Sequence, residues 1–180
     1  MSTDLSLTTW IFGYGSLIWK PNFPYVEKRY ATLFGWCRRF YQGSPDHRGT
    51  EENPGRVVTL LPDAGTRCFG VAYRIAEKDR HDIFTYLDVR EQGGYQLLTE
   101  EVHFLDGGSA LAYVYIATVQ NPYYIGADTP QAMANHIYNS HGPSGANLQY
   151  FLQLRKALQS FAPVDSHIEE IFHALPKGSP

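Results

Sequence analysis

The sequence predicts an α+β fold, a small mixed barrel-like sheet with flanking helices, and three observations support it. Strand-like apolar segments fill the first two-thirds of the chain, and helical periods fill the last third. A single helical segment interrupts the strands, which argues against alternating βαβ units and a parallel sheet. Five or six strands joined by turns suffice to close a small barrel.

Each element follows from local residue chemistry. The run Trp10-Ile11-Phe12 reads as a short buried strand that halts at Gly13-Tyr14-Gly15-Ser16-Leu17. Residues 28–41 mix aromatics, Thr and basic residues as a long half-exposed strand does, with Gly35 as a bulge site. Residues 42–54 are polar and rich in Gly and Pro, and read as a long functional loop. Two strands are expected at 56–61 and 67–75, then a helix over 77–89 with Gly93-Gly94 as its stop. Residues 95–105 and 110–117 form the clearest hairpin, because Asp106-Gly107-Gly108 supplies the positive φ of a tight turn. Thr129 followed by Pro130 is an N-cap and first-turn pair that opens a helix to about Asn139. After a break at 141–145, Leu148, Phe151, Leu152, Arg155 and Leu158 carry the period of an amphipathic helix, and Ile168, Ile171, Phe172 and Leu175 that of a shorter one.

Composition narrows the function classes. The chain has 180 residues, 43% of them hydrophobic and 18% charged, enough for one globular core without staples. A formal net charge of −3 argues against nucleic acid or an anionic membrane as the main partner. Two cysteines, Cys37 and Cys68, are too few for a secreted disulfide framework, and no apolar run is long enough to span a membrane. The expected setting is cytoplasmic, the expected state a monomer or weak dimer.

Gly13-Tyr-Gly15 is not a dinucleotide fingerprint, because Ile18 stands where the third glycine belongs and Pro21 follows too soon for a helix start. It leaves a glycine loop whose N–H groups at Gly15, Ser16 and Leu17 can converge on a small anion such as a carboxylate, or an ordinary turn whose glycines permit positive φ. Ser16 and Ser144 lack the glycine pattern of a nucleophile elbow. The seven histidines lack the i, i+4 spacing of a helical metal site and read mostly as surface residues, so no metal is assigned. Asp46-His47-Arg48-Gly49 and Arg56 are cationic or donor groups around one expected mouth. Asp88, Arg90 and Glu91 end the 77–89 helix, where a carboxylate opposes the dipole. Either pairing with Arg90 offsets that cost, or Glu91 leaves the helix end for a pocket whose low polarity raises its pKa toward that of a useful base.

Taken in order, Phe12-Gly-Tyr-Gly-Ser-Leu-Ile-Trp19, Arg39-Phe-Tyr-Gln-Gly-Ser44, Asp46-His-Arg-Gly49, Pro54-Gly-Arg-Val-Val-Thr-Leu60, Gly70-Val-Ala-Tyr73, Tyr86-Leu-Asp-Val-Arg-Glu91 with Gly93-Gly-Tyr95, Asn121-Pro122 with Tyr124 and Gly126, and Gly142-Pro-Ser-Gly145 resemble the ChaC family of glutathione-specific γ-glutamylcyclotransferases. The likeness covers residues 10–163 as the main domain, beside an extension over 1–9 and a C-terminal helix and tail over 164–180. It implies the γ-glutamylcyclotransferase-like fold and release of 5-oxoproline and Cys-Gly from glutathione, with no cofactor and no metal. It also implies that Glu91 is the catalytic acid/base, that Gly13, Tyr14, Gly15, Ser16, Leu17 and Ile18 hold the γ-glutamyl end, and that Tyr124 lines the same pocket. Arg48 and Arg56 are candidates for the terminal carboxylate. Some relatives carry Glu where Asp82 stands, which leaves a second acidic role on that helix open. Two alternatives stand beside this reading: a cyclotransferase for other γ-glutamyl amino acids or amines, and a non-catalytic module that binds a γ-glutamyl metabolite.

Overall fold

A computed structural model describes residues 8–178. Its centre is a closed barrel of five strands in the order β1-β3-β2-β4-β5, with β1 at Thr9–Gly13, β2 at Glu27–Ser44, β3 at Gly55–Ile75, β4 at Gln96–Phe104 and β5 at Ser109–Ile116. Neighbours are antiparallel except β1 and β5, which close the barrel in parallel, Trp10 opposite Ala112 and Ile11 opposite Tyr113. The expected mixed barrel is thus present. The extension expected over 1–9 lies outside the described residues apart from its last two positions.

Two long strands dominate the barrel and differ from the sequence expectation. The strands expected at 56–61 and 67–75 are one strand, β3, because the breaker-rich stretch 63–66 is taken up as a bulge opposite Gly35. Gly35 has φ +77°, the left-handed conformation the bulge demands. A second register shift between Arg39 and Gln42 carries β2 on into residues expected as loop, so that Gln42, Gly43 and Ser44 pair with Val57, Arg56 and Gly55. The loop proper is then 45–54. The β4–β5 hairpin turns through Gly107 and Gly108, both at positive φ as expected, and Arg29 Nη2 donates to Asp106 Oδ1 at 2.5 Å to hold it.

Helix α1 spans Arg80–Arg90 after a single 3-10 turn at Glu77–Asp79. Helix α2, Pro130–Asn139, has the expected cap: the Ala132 N–H donates to Thr129 Oγ1 at 3.1 Å. The break that follows holds a miniature hairpin, β6 at His141–Gly142 with β7 at Gly145–Ala146, before α3 at Asn147–Gln159 and α4 at Ser166–His173. Phe151, Leu154 and Leu158 of α3 and Ile168 and Ile171 of α4 join the same buried core as Phe12, Leu33, Phe40 and Leu60 from the strands. The C-terminal helix is therefore packed into the domain rather than appended to it. No helix among the described residues is long and apolar enough to cross a membrane.

Candidate active site

A cavity of about 430 Å³ opens where β1 ends, walled by the loop after β1, residues 42–48 of β2 and the following loop, the C-terminal end of α1, Tyr115 of β5 and Tyr150 of α3. The floor is the glycine loop, whose residues 16–18 make one turn of 3-10 helix: the Ile18 N–H donates to Gly15 O at 3.0 Å, and Lys20 N–H to Ser16 O at 2.8 Å. The opening N–H groups of such a turn have no partner within it. Neither Gly13 nor Gly15 has positive φ, so the ordinary-turn explanation of these glycines fails. Crowding accounts for Gly13, where a Cβ would lie 2.5 Å from Leu17 Cβ, and leaves a tight fit at Gly15, where one would lie 3.1 Å from the Tyr150 hydroxyl.

Two guanidinium groups fix this loop. Arg38, 4% exposed, donates from Nε to Tyr14 O at 2.8 Å, also bonds Phe69 O, and pairs through Nη1 with Asp165 Oδ2 at 3.1 Å. On the cavity side, Arg90 donates from Nη2 to Ser16 Oγ at 2.5 Å and from Nη1 to Lys20 O at 3.0 Å, Pro21 O at 3.3 Å and the Tyr86 hydroxyl at 3.1 Å. In the sequence Arg90 reads only as a counter-charge at the helix end. Its reach to a loop 74 residues away had no local signal.

Glu91 is the C-cap of α1, its N–H bonded to Leu87 O at 2.8 Å, and its side chain, 18% exposed, lines the cavity. Burial pushes its carboxyl up to about 7, against the pull of Arg90, whose Nε lies 3.8 Å from Glu91 Oε1, and with a further push from the Asp46 carboxylate. Four tyrosines surround it electrostatically: Tyr14, Tyr95, Tyr115 and Tyr150 all have hydroxyls pushed up by burial, and so stay protonated. Tyr14 donates to Tyr115 O at 2.7 Å and Tyr115 to Asp88 Oδ1 at 2.6 Å, so those two protons are committed. The Tyr150 hydroxyl accepts from the Val58 N–H at 3.4 Å, which leaves its own proton for a ligand. Tyr150 went unread in the sequence because it lies within the amphipathic pattern of α3.

Of the residues singled out in the sequence, Gly13, Tyr14, Gly15, Ser16, Leu17 and Glu91 share this cavity. Ile18 and Tyr124 are not among its lining residues. Ile18 is 5% exposed in the core beneath the loop. Tyr124 forms a bridge with Gln42, in a segment where Ile125 and Gly126 donate to Tyr41 O, and so supports β2 rather than walling the cavity. Arg48 lines it, anchored by Nη1 to Ala146 O at 3.1 Å and Gln149 Oε1 at 3.2 Å. Arg56 does not: it is 4% exposed and donates to Phe40 O and Gly126 O, both at 2.9 Å, and to His136 Nδ1 at 3.2 Å. Asp82 is exposed on the first turn of α1, away from the cavity wall. Five of the histidines are exposed as expected, but His167 is buried, with Nε2 accepting from the Phe40 N–H at 3.0 Å. Among the described residues no group of three or more His, Cys, Asp or Glu converges as a metal site would.

Comparison with known proteins places this arrangement. The family model described as ChaC-like protein matches residues 9–177. The human glutathione-specific γ-glutamylcyclotransferase 1 (Homo sapiens) is 42% identical over 174 residues, covering 92% of this chain and 78% of that protein. The glutathione-specific γ-glutamylcyclotransferase of Saccharomyces cerevisiae is 36% identical over 198 residues, covering 83% of this chain and 84% of its own length. A crystal structure of the yeast γ-glutamyl cyclotransferase specific to glutathione superposes with a TM-score of 0.84 at 32% identity, over 93% of this chain and 97% of that one. The family match spans nearly the whole barrel and its helices, and the chain belongs to the ChaC-like family.

Proposed function

We infer that this protein is a glutathione-specific γ-glutamylcyclotransferase, a lyase that splits glutathione into 5-oxoproline and Cys-Gly. The observation that carries the reading is that one cavity holds both the buried Glu91 carboxyl, pushed up to about 7, and the opening N–H groups of the glycine loop, which have no partner within their 3-10 turn. The substrate supplies its own nucleophile. Its α-amine attacks the γ-carbonyl carbon, a five-membered lactam closes, and the bond to the cysteinyl nitrogen breaks. Two protons leave the glutamyl nitrogen and two arrive at the cysteinyl nitrogen, so the Glu91 carboxyl ends as it began. No water is consumed.

Each wall has a part in this scheme. The Gly15, Ser16 and Leu17 N–H groups receive the α-carboxylate and keep the glutamyl chain curled, which supplies the proximity advantage of an intramolecular attack. The free proton on the Tyr150 hydroxyl suits the oxygen of the γ-carbonyl as it gains negative charge. Arg48, partly desolvated in the cavity wall, suits the glycyl carboxylate and favours glutathione over γ-glutamyl compounds that lack one. The proposed state is a monomer or weak dimer. The two buried free cysteines suit a reducing compartment such as the cytoplasm.

Incubation with reduced glutathione and, separately, with a γ-glutamyl amino acid tests the reading, with 5-oxoproline scored by chromatography. Release from glutathione well above release from the γ-glutamyl amino acid is expected. Equal release overturns the specificity, and binding without product overturns the activity in favour of a metabolite-binding module.

A further inference from the structure

We propose that Arg90 is a positioning residue of this site: its guanidinium fastens the glycine loop to the helix end that carries Glu91, and it is the one cation in ion-pair contact with that carboxylate among the described residues. The inference rests on the reading of Glu91 as the proton carrier.

The geometry uses the whole guanidinium fork. Nη1 is shared among Lys20 O, Pro21 O and the Tyr86 hydroxyl, Nη2 is taken by Ser16 Oγ, and Nε faces Glu91 Oε1 at 3.8 Å. A planar fork can face a loop with one edge and a carboxylate with the other, whereas an ammonium on a flexible stem cannot hold both directions at once. At 14% exposure the Arg90 side chain is largely shielded from water, so its charge acts on Glu91 with little screening.

The groups facing Glu91 make Arg90 the deciding one. Tyr14 from the loop, Tyr95 from the chain after α1, Tyr115 from β5 and Tyr150 from α3 are neutral near pH 7, and Asp46 from the loop after β2 carries a like charge. Lys20, His47 and Arg48 line the cavity without ion-pair contact to Glu91. Burial and Asp46 therefore both oppose the carboxylate, and Arg90 alone opposes them at close range. Without it the base would be protonated at working pH.

Three variants and two readouts test this. In Arg90→Gln, 5-oxoproline release from glutathione at pH 7 should fall about tenfold or more, the acid limb of the kcat/KM profile should move up by about one pH unit, and raising the pH should restore part of the activity. In Arg90→Lys the charge remains but the fork is lost, so the profile should stay near wild type while KM rises several-fold. Ser16→Ala, which removes one loop contact, should raise KM and leave the profile unmoved. The second readout needs no turnover: carbon NMR titration of the Glu91 carboxyl in the substrate-free protein should show a higher midpoint in Arg90→Gln than in wild type. An unmoved midpoint with activity lost equally at every pH assigns Arg90 a purely structural role and overturns the proposal. If Arg90→Gln lacks a cooperative thermal transition, wild-type KM in both other variants overturns it instead. Absence of 5-oxoproline from the wild-type protein defeats the functional reading, while the titration still decides the role of Arg90.

Discussion

Glu91 gains its chemistry from where a helix stops. As the C-cap residue it faces the cavity, where burial holds its carboxyl at about 7. A base poised near the working pH accepts and returns a proton with little penalty either way, an advantage of about 10²–10⁴ in rate. Glu91→Gln keeps the shape and removes the shuttle, so 5-oxoproline release should fall by about that factor with the thermal transition preserved. Near-normal turnover in a folded variant would show that the proton passes elsewhere. Arg48 and Arg56 illustrate what residue type alone does not reveal. Arg48 is half-buried and lines the cavity, while Arg56 is buried and bonds Phe40 O, Gly126 O and His136 in the interior.

At the scale of elements, the site is a meeting of two chain ends: the loop that leaves β1 and the last turn of α1. The loop's role rests on its N–H groups, and Ser16 opens its 3-10 turn. Proline is tolerated at the first position of a helical turn, so Ser16→Pro should fold while lacking one N–H. Isothermal titration with an unreactive glutathione analogue should show weaker binding for Ser16→Pro than for Ser16→Ala, which loses only the hydroxyl. Equal affinities would remove the amide from the account. What could be read from the sequence follows the range of the forces involved. The Thr129 cap and the Asp106-Gly107-Gly108 turn were legible because their bonds close within three or four residues. The single strand β3 was not, because a bulge opposite Gly35 absorbs residues that otherwise signal a break. Glu91 and the glycine loop were visible as motifs, whereas Tyr150 and the reach of Arg90 depend on contacts across the barrel.

Over the whole molecule, closure of the barrel by β1 and β5 depends on a parallel pairing of distant segments that no local pattern announces. Two titrating groups then set opposite slopes of stability against pH. Glu91, raised from 4.5 to about 7, holds its proton more tightly when folded, so its contribution is full below about pH 4.5 and is lost as pH rises through 7. His167, lowered from 6.5 to about 4 chiefly by burial, contributes above pH 6.5 and loses that contribution as pH falls toward 4. The shifts are of similar size, roughly 3 kcal/mol each, and largely offset one another between about pH 4.5 and 6.5. Glu91→Gln should therefore match wild type near pH 4.5 and exceed it at pH 8, the gap opening between about pH 4.5 and 7 and staying constant above that. Urea unfolding at the two pH values checks this, and a gap that is absent or independent of pH would mean that the carboxyl is not desolvated.

The buried ion pair between Arg38 and Asp165 has a consequence for where this protein can be cut. Asp165 lies just past the stretch whose motifs resemble the family, in what reads as a C-terminal helix and tail, yet it neutralises the cation that grips the Tyr14 carbonyl under the cavity floor. A truncation at residue 163 would strand that cation in the interior and loosen the cavity floor, so the folded unit extends through the final helix.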